Sequence, residues 1–270
     1  MRVLVPARSL FLFFALVPTV LAQQTAPTTQ PGPILQRALS VLVPSGTVTD
    51  ITLTGTARRI AGSDDESGTV VLKALATGES RVELTFPSGP RTETRIPMSV
   101  DGPRGAWSGP DNAAHAISQH NLWTDPSWFF PAFAISRALS ADAVASYVGQ
   151  EAVGATTLHH FSVTRQFQTV GAPPGWTPDA LQRLATTDIY LDTATFLPSS
   201  ISFKTHPDRN ASMDIPVEIR FSDYRLVNGV QIAFHIQKFF NNSLALDIQL
   251  QNASTNTGLT AAAFSAAQVQ

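Results

Sequence analysis

The sequence contains no cysteine. That absence excludes a disulfide framework and a thiolate metal site. It also excludes lipid attachment next to an export signal, because position 23 is Gln. Lysine is scarce: Lys73, Lys204 and Lys238 are the only three. With a formal net charge of -2, the chain offers no basic face to neutralise phosphates. Nucleic acid is therefore excluded as a partner, and electrostatic docking on an anionic membrane is disfavoured. The apolar run between Pro6 and Pro18 falls short of the roughly 20 residues that a membrane-crossing helix needs. Neither a G-x-S-x-G elbow nor a phosphate-cradling glycine loop occurs.

What the N-terminus does contain is an export signal. Arg2 and Arg8 form a positive start, residues Leu10 to Val17 an apolar stretch, and Val20-Leu21-Ala22 a cleavage site with small residues where they are read. Residues 1–22 are thus expected to be removed after Ala22, leaving a periplasmic chain with no integral membrane span. The loss of two arginines and no acids takes the formal charge to -4. Residues 23–33, rich in Gln, Thr and Pro, read as a flexible leader.

Apolar residues Ile34, Leu35, Ala38, Leu39 and Leu42 recur at helical spacing and predict a short helix between Pro33 and Pro44. Period-two alternation then predicts strands around Ile51–Leu53 and Val82–Phe86, with a less clean apolar run at Val70–Leu75 between them and a further segment at Arg91–Met98 completing an antiparallel meander. From Asn112 to Leu139 alternation stops. A helix capped by Asn112 and a second one from Asp125-Pro126-Ser127 are expected there. Strands return at Ser146–Val153 and Thr156–Phe167, with a helical turn at Asp179–Leu184. Further strands follow around Ile189, Ile201, Val217–Phe221, Ile232–Ile236 and Leu244–Leu250. Asn228-Gly229 predicts a type I′ hairpin turn, since both residues tolerate positive φ. The tail is expected to fray after Phe264.

The titratable residues suggest no catalyst. His159 and His160 are adjacent on a strand and face opposite sides. His115 and His120 are five apart, which is not a shared helical face. Asp64-Asp65-Glu66 reads as a solvated hairpin tip, and Asp188, Asp192 and His235 fall on polar strand faces. No metal, no cofactor and no enzymatic activity are expected.

Three pieces of the C-terminal third resemble the LolA-like proteins. Asp188 to Pro198 is similar to their strand and "D-x-x-T-x-x-P" turn. Phe221-Ser222-Asp223-Tyr224-Arg225-Leu226-Val227-Asn228-Gly229-Val230 is similar to their "F-x-D-Y-r-x-v-n-G-v" hairpin. Asn252 with Phe264 is similar to their closing strand. The resemblance spans residues 34–264 and implies one domain that is mainly β. This would be an incomplete antiparallel β-barrel, a strongly curved sheet of about eleven strands, with a short helical lid in its concave face. The family consists of periplasmic lipoprotein-sorting carriers and their relatives, which hold acyl chains in the apolar cup between sheet and lid. The resemblance therefore implies a lipid or a lipoprotein acyl chain as ligand and envelope proteins as partners. Trp128, Phe129, Phe130 and Phe133 would form the lid side, and Leu84, Phe86, Phe203, Ile219 and Phe221 the cup side. The same aromatic cluster could instead plug the curved sheet as plain core, giving a non-catalytic envelope interaction module with a self-filled cup.

Overall fold

The computed structural model describes residues 30–44, 46–99, 102–124, 127–166 and 176–265. Residues 1–29, on which the expected export signal and most of the expected leader fall, lie outside them, as do Asp125-Pro126, residues 167–175 and the residues beyond Ser265.

Helix α1 (Pro31–Leu42) opens the described chain, with proline in its first turn where a missing N–H costs nothing. A meander follows: β1 (Asp50–Ala61), β2 (Asp64–Leu75), β3 (Ser80–Phe86), β4 (Gly89–Ser99), β5 (Gly102–Ser108) and β6 (Ala114–Ala116). Helix α2 (Pro131–Ala138) separates it from β7 (Ala143–Val153) and β8 (Thr156–Arg165). Helix α3 (Pro178–Ala185) precedes β9 (Thr187–Asp192), β10 (Pro198–Thr205), β11 (Ile215–Val227), β12 (Val230–Phe240) and β13 (Ser243–Thr255). All thirteen strands form one antiparallel sheet, in the order β6-β5-β4-β3-β2-β1-β13-β12-β11-β10-β9-β8-β7. Within each of the two meanders, β1 to β6 and β7 to β13, consecutive strands pair, and the seam between the meanders is the pairing of β1 with β13.

This order dictates the architecture. Strands β6 and β7 are consecutive in the chain yet lie at opposite edges of the sheet. The segment joining them must cross from edge to edge, and it carries α2. The sheet curls to meet it. Glu93 on β4 and Lys238 on β12 are five strand steps apart, about 24 Å in a flat sheet. Both nevertheless line one cavity. The sheet is therefore an unclosed, strongly curved half-barrel. Helices α1 and α2 pack against each other within its concave face.

The core follows from the alternation. Ile51, Leu53 and Ala57 on β1 pair with Leu72, Ala74, Ile248 and other inward residues of β2 and β13. Leu35, Ala38 and Leu42 of α1 complete one cluster with Trp128, Phe129, Phe130, Phe133 and Ile135. A smaller cluster of Trp123, Leu181, Leu184 and Ala185 fastens α3.

Three expectations need correction. Asn112 caps no helix: it takes a positive φ of 56° in a turn, and Ala114–Ala116 then adds an edge strand to β5. Ile117 and Leu122 pack onto Gly105 instead of forming a helical stripe. The second helix starts at Pro131 rather than Ser127, because Phe130 is still extended and residues 127–129 form a turn. Asp64-Asp65-Glu66 is not a hairpin tip. Gly62, with φ of 63°, makes the turn, so the three acids lie in β2, and Asp65 and Glu66 pair with Arg58 and Arg59 across the hairpin.

Candidate ligand-binding cup

The concave face is apolar over most of its width and charged at one side. On β12 the even-numbered residues point inward: Ile232, Phe234 and Ile236 are buried, and Lys238 is next in phase. On β3 the inward residues are Ser80, Val82, Leu84 and Phe86. Their partners on β4 are Arg95, Glu93, Arg91 and Gly89. On β5 the inward positions are Gly105 and Trp107. Where α1 and α2 cover the sheet, its inner face is aliphatic and aromatic. Beyond their reach it carries charge.

Cavities lie beside the helices, two of them lined by described residues of sheet and helix alike. One, of about 380 Å³, lies under α2, between Arg95 and Pro103 near one sheet edge and Val163 and Arg165 near the other. The second, of about 330 Å³, has an apolar wall of Val82, Leu84, Leu246 and Trp128, and a polar wall of Arg91, Glu93, Ser108 and Lys238. Both fall at the small end of the range of about 300–1,000 Å³ usual for ligand pockets. Trp107, 43% exposed and stacked on His115 at 4.4 Å, stands at the second cavity near edge strand β6.

The charges here are mostly paired. Arg95 Nε donates to Glu93 Oε1 at 2.7 Å, and Arg91 lies 3.4 Å from Glu66. Burial works against ionisation of Glu93, but the charges of Arg95 and Lys238 outweigh it and hold the carboxyl below its ordinary range. Lys238 has no hydrogen bond or ion pair among the described residues. Its ammonium sits 4.7 Å from the centroid of the Trp128 ring. Burial pushes its pKa down, against the pull of Glu93. The indole N–H of Trp128 is buried with no hydrogen-bond partner among the described residues.

The sequence-derived site residues divide as follows. Trp128 and Leu84 line the second cavity. Phe129, Phe130 and Phe133 are buried in the main core, with Phe130 and Phe133 edge to face at 4.8 Å. Phe86, Phe203, Ile219 and Phe221 lie on the inner sheet face and line neither cavity. Sequence reasoning passed over Lys238, Arg91, Glu93, Arg95 and Trp107. The signal for Lys238 was available: it continues the inward phase of Ile232, Phe234 and Ile236.

A strap closes one side of the cup. Asn121 Nδ2 donates to the His206 carbonyl at 2.8 Å, and its Oδ1 accepts from His206 N at 2.9 Å and Thr205 Oγ1 at 3.0 Å. In effect the Asn121 side chain extends the end of β10 like a short partner strand. Arg95 Nη1 donates to the Asn121 carbonyl at 2.7 Å and ties the strap to β4. Among the described residues no group of three His, Asp or Glu side chains is placed to share a metal ion, and no helix is long and apolar enough to cross a membrane.

No protein-family profile matches the sequence, and no curated protein matches it. Solved structures do. A LolA superfamily protein from Nitrosomonas europaea aligns with a TM-score of 0.53 at 11% identity, covering 89% of this chain and 98% of that one. A domain assigned to outer membrane lipoprotein sorting from Vibrio parahaemolyticus aligns with a TM-score of 0.52 at 11% identity, covering 86% and 94%. A DUF1329 family protein from Desulfovibrio piger aligns with a TM-score of 0.52 at 12% identity, covering 88% and 98%. At these identities the likeness is one of fold: the chain has the LolA-like half-barrel that its C-terminal motifs resemble.

Proposed function

We propose that this chain is an exported, non-catalytic binding or carrier protein of the cell envelope that holds an apolar ligand, such as a lipid or a lipoprotein acyl chain, between sheet and helices. The observation that carries the reading is the cavity of about 330 Å³ lined by Trp128, with an apolar wall inside a curved sheet. A fold whose only task was to pack its own core would close such a space. The N-terminal export signal and the LolA-like fold support a periplasmic location. The tight packing of Phe129, Phe130 and Phe133 favours the other reading, an interaction module whose cup is filled by its own side chains.

Mass spectrometry of protein purified without detergent separates the two. Co-purifying lipid, together with a lipid-dependent rise in melting temperature, is expected of the carrier, since a ligand that binds only the folded state stabilises it. A lipid-free protein whose melting no long-chain lipid shifts would leave the self-filled module.

A further inference from the structure

The cup is not uniformly apolar: Lys238 lines it and has no hydrogen bond or ion pair among the described residues. We propose that the cavity beneath Trp128 takes a single-chain anionic amphiphile, with its chain against Val82, Leu84 and Leu246 and its carboxylate or phosphate head on Lys238. This rests on the binding reading above and narrows its ligand class.

Lys238 occupies an inward position of β12, opposite Leu246 on β13 and Ile219 on β11. Lys238 lines the cavity, and its Nζ has no hydrogen bond or ion pair from any described residue. The nearby arginines are committed: Arg91 faces Glu66 at 3.4 Å, and Arg95 donates to Glu93 at 2.7 Å. Glu93 is thus already engaged, and no ion pair joins it to Lys238. Among the described residues the Trp128 ring meets the ammonium, at 4.7 Å from its centroid.

Consider what filling the cavity would do. Glu93 keeps 31% of its side-chain surface exposed although it lies within the cup, so solvent can reach this wall of the cavity. A purely apolar ligand would displace that solvent and leave a dehydrated ammonium beside an aliphatic wall, which is costly. A ligand with an anionic head removes the same solvent and supplies the missing partner through a charge-assisted hydrogen bond. The chain end of such a ligand meets the apolar wall of the same cavity. The burial that lowers the Lys238 pKa is the same desolvation that an anion would offset.

The test measures binding of hexadecanoate, hexadecanol and inorganic phosphate to the purified protein and to Lys238→Met and Lys238→Arg, below the concentration at which the amphiphiles aggregate. Wild type should bind hexadecanoate about tenfold or more tightly than hexadecanol, the difference expected of one charge-assisted hydrogen bond in a partly desolvated site. Lys238→Met should bind the two alike, and Lys238→Arg should keep the preference. Inorganic phosphate should bind far more weakly than hexadecanoate. Equal binding of acid and alcohol by wild type, or a preference that survives in Lys238→Met, overturns the headgroup assignment and leaves the cup reading intact. Phosphate binding as tight as hexadecanoate binding makes this an anion site and overturns the amphiphile. If wild type binds neither alkyl ligand, the cup reading fails and this inference with it. The wild-type comparison stands even if Lys238→Met fails to fold.

Discussion

The Tyr224 hydroxyl donates to the Pro198 carbonyl at 2.9 Å. That bond joins the two motifs on which the family resemblance rests. Pro198 ends the turn that Asp192 organises, its Oδ1 accepting from Ala194 N at 2.9 Å and Thr195 N at 2.7 Å. Tyr224 follows Asp223, which takes a positive φ of 54° within a β11–β12 register that is unbroken from Ser222–His235 to Tyr224–Ala233. The Asp and Pro of the first motif set its turn, and the Tyr of the second makes the link to it.

Tyr224→Phe is therefore expected to cost about 1 kcal/mol, the usual net value of a hydrogen bond, plus a contribution from the carbonyl left without its donor. Urea denaturation should show a lower midpoint at unchanged slope. An unchanged midpoint would mean that the bond adds nothing to stability.

The same residues show how far the sequence could be read. The β11–β12 hairpin was legible because Asn228 and Gly229 both need positive φ, at 50° and 79°, and because the alternation on either side sets a register with Phe221 opposite Ile236. Strands β5 and β6 were not legible. Gly102–Ser108 shows no apolar alternation, because its inner face looks onto a cavity and onto Leu122 rather than into packed core. Arg91, Glu93 and Arg95 gave the opposite difficulty: alternation of charge with Thr reads as an exposed strand, yet the charges face inward. Sequence periodicity marks which residues share a face, and the curvature of the sheet decides what that face meets.

The seam between the meanders gives a sharper prediction. At the bulge between Thr54 and Gly55, a Cβ on Gly55 would lie 2.1 Å from the Gln249 carbonyl oxygen. That atom is backbone in the paired strand and cannot swing aside. Gly55→Ala should destabilise by about 1–3 kcal/mol or more, the range for overpacking. Amide exchange should show the loss concentrated in β1 and β13. A variant as stable as wild type would show that the seam can open locally without cost.

Acid should act on the same seam through Asp50. Its side chain is buried and accepts from Thr257 N and Oγ1 at 2.8 Å each, and from Gly258 N at 3.0 Å. Burial alone would raise this carboxyl. The donors from Thr257, Gly258 and Thr49 outweigh it and hold the pKa below the ordinary 3.8. A folded value below the unfolded one means that the group stabilises fully above 3.8 and loses that contribution as pH falls through the folded value. Stability measured by urea should decline on acidification below about pH 4. Asp50→Asn should be less stable at neutral pH and show a shallower decline. Parallel acid limbs for the two proteins would remove Asp50 from the account.

Phe130 decides how much of the lid is core. It is the extended residue that caps α2, 1% exposed, edge to face with Phe133 at 4.8 Å, and it lines neither of the two cavities. A ring surrounded by partners leaves a void when truncated, so Phe130→Ala should cost about 3–5 kcal/mol. A ring beside empty space has fewer contacts to lose, and its truncation would cost less. Combining the variant with ligand separates structure from binding. If Phe130 is core and Trp128 forms the cavity wall, Phe130→Ala lowers the melting temperature by a large step. The rise on adding hexadecanoate then stays close to that of wild type, because the ligand does not touch position 130. Thermal melting of both proteins with and without hexadecanoate measures the two effects independently. A small stability loss with an abolished ligand shift would instead put Phe130 in the binding wall and extend the cavity under α2.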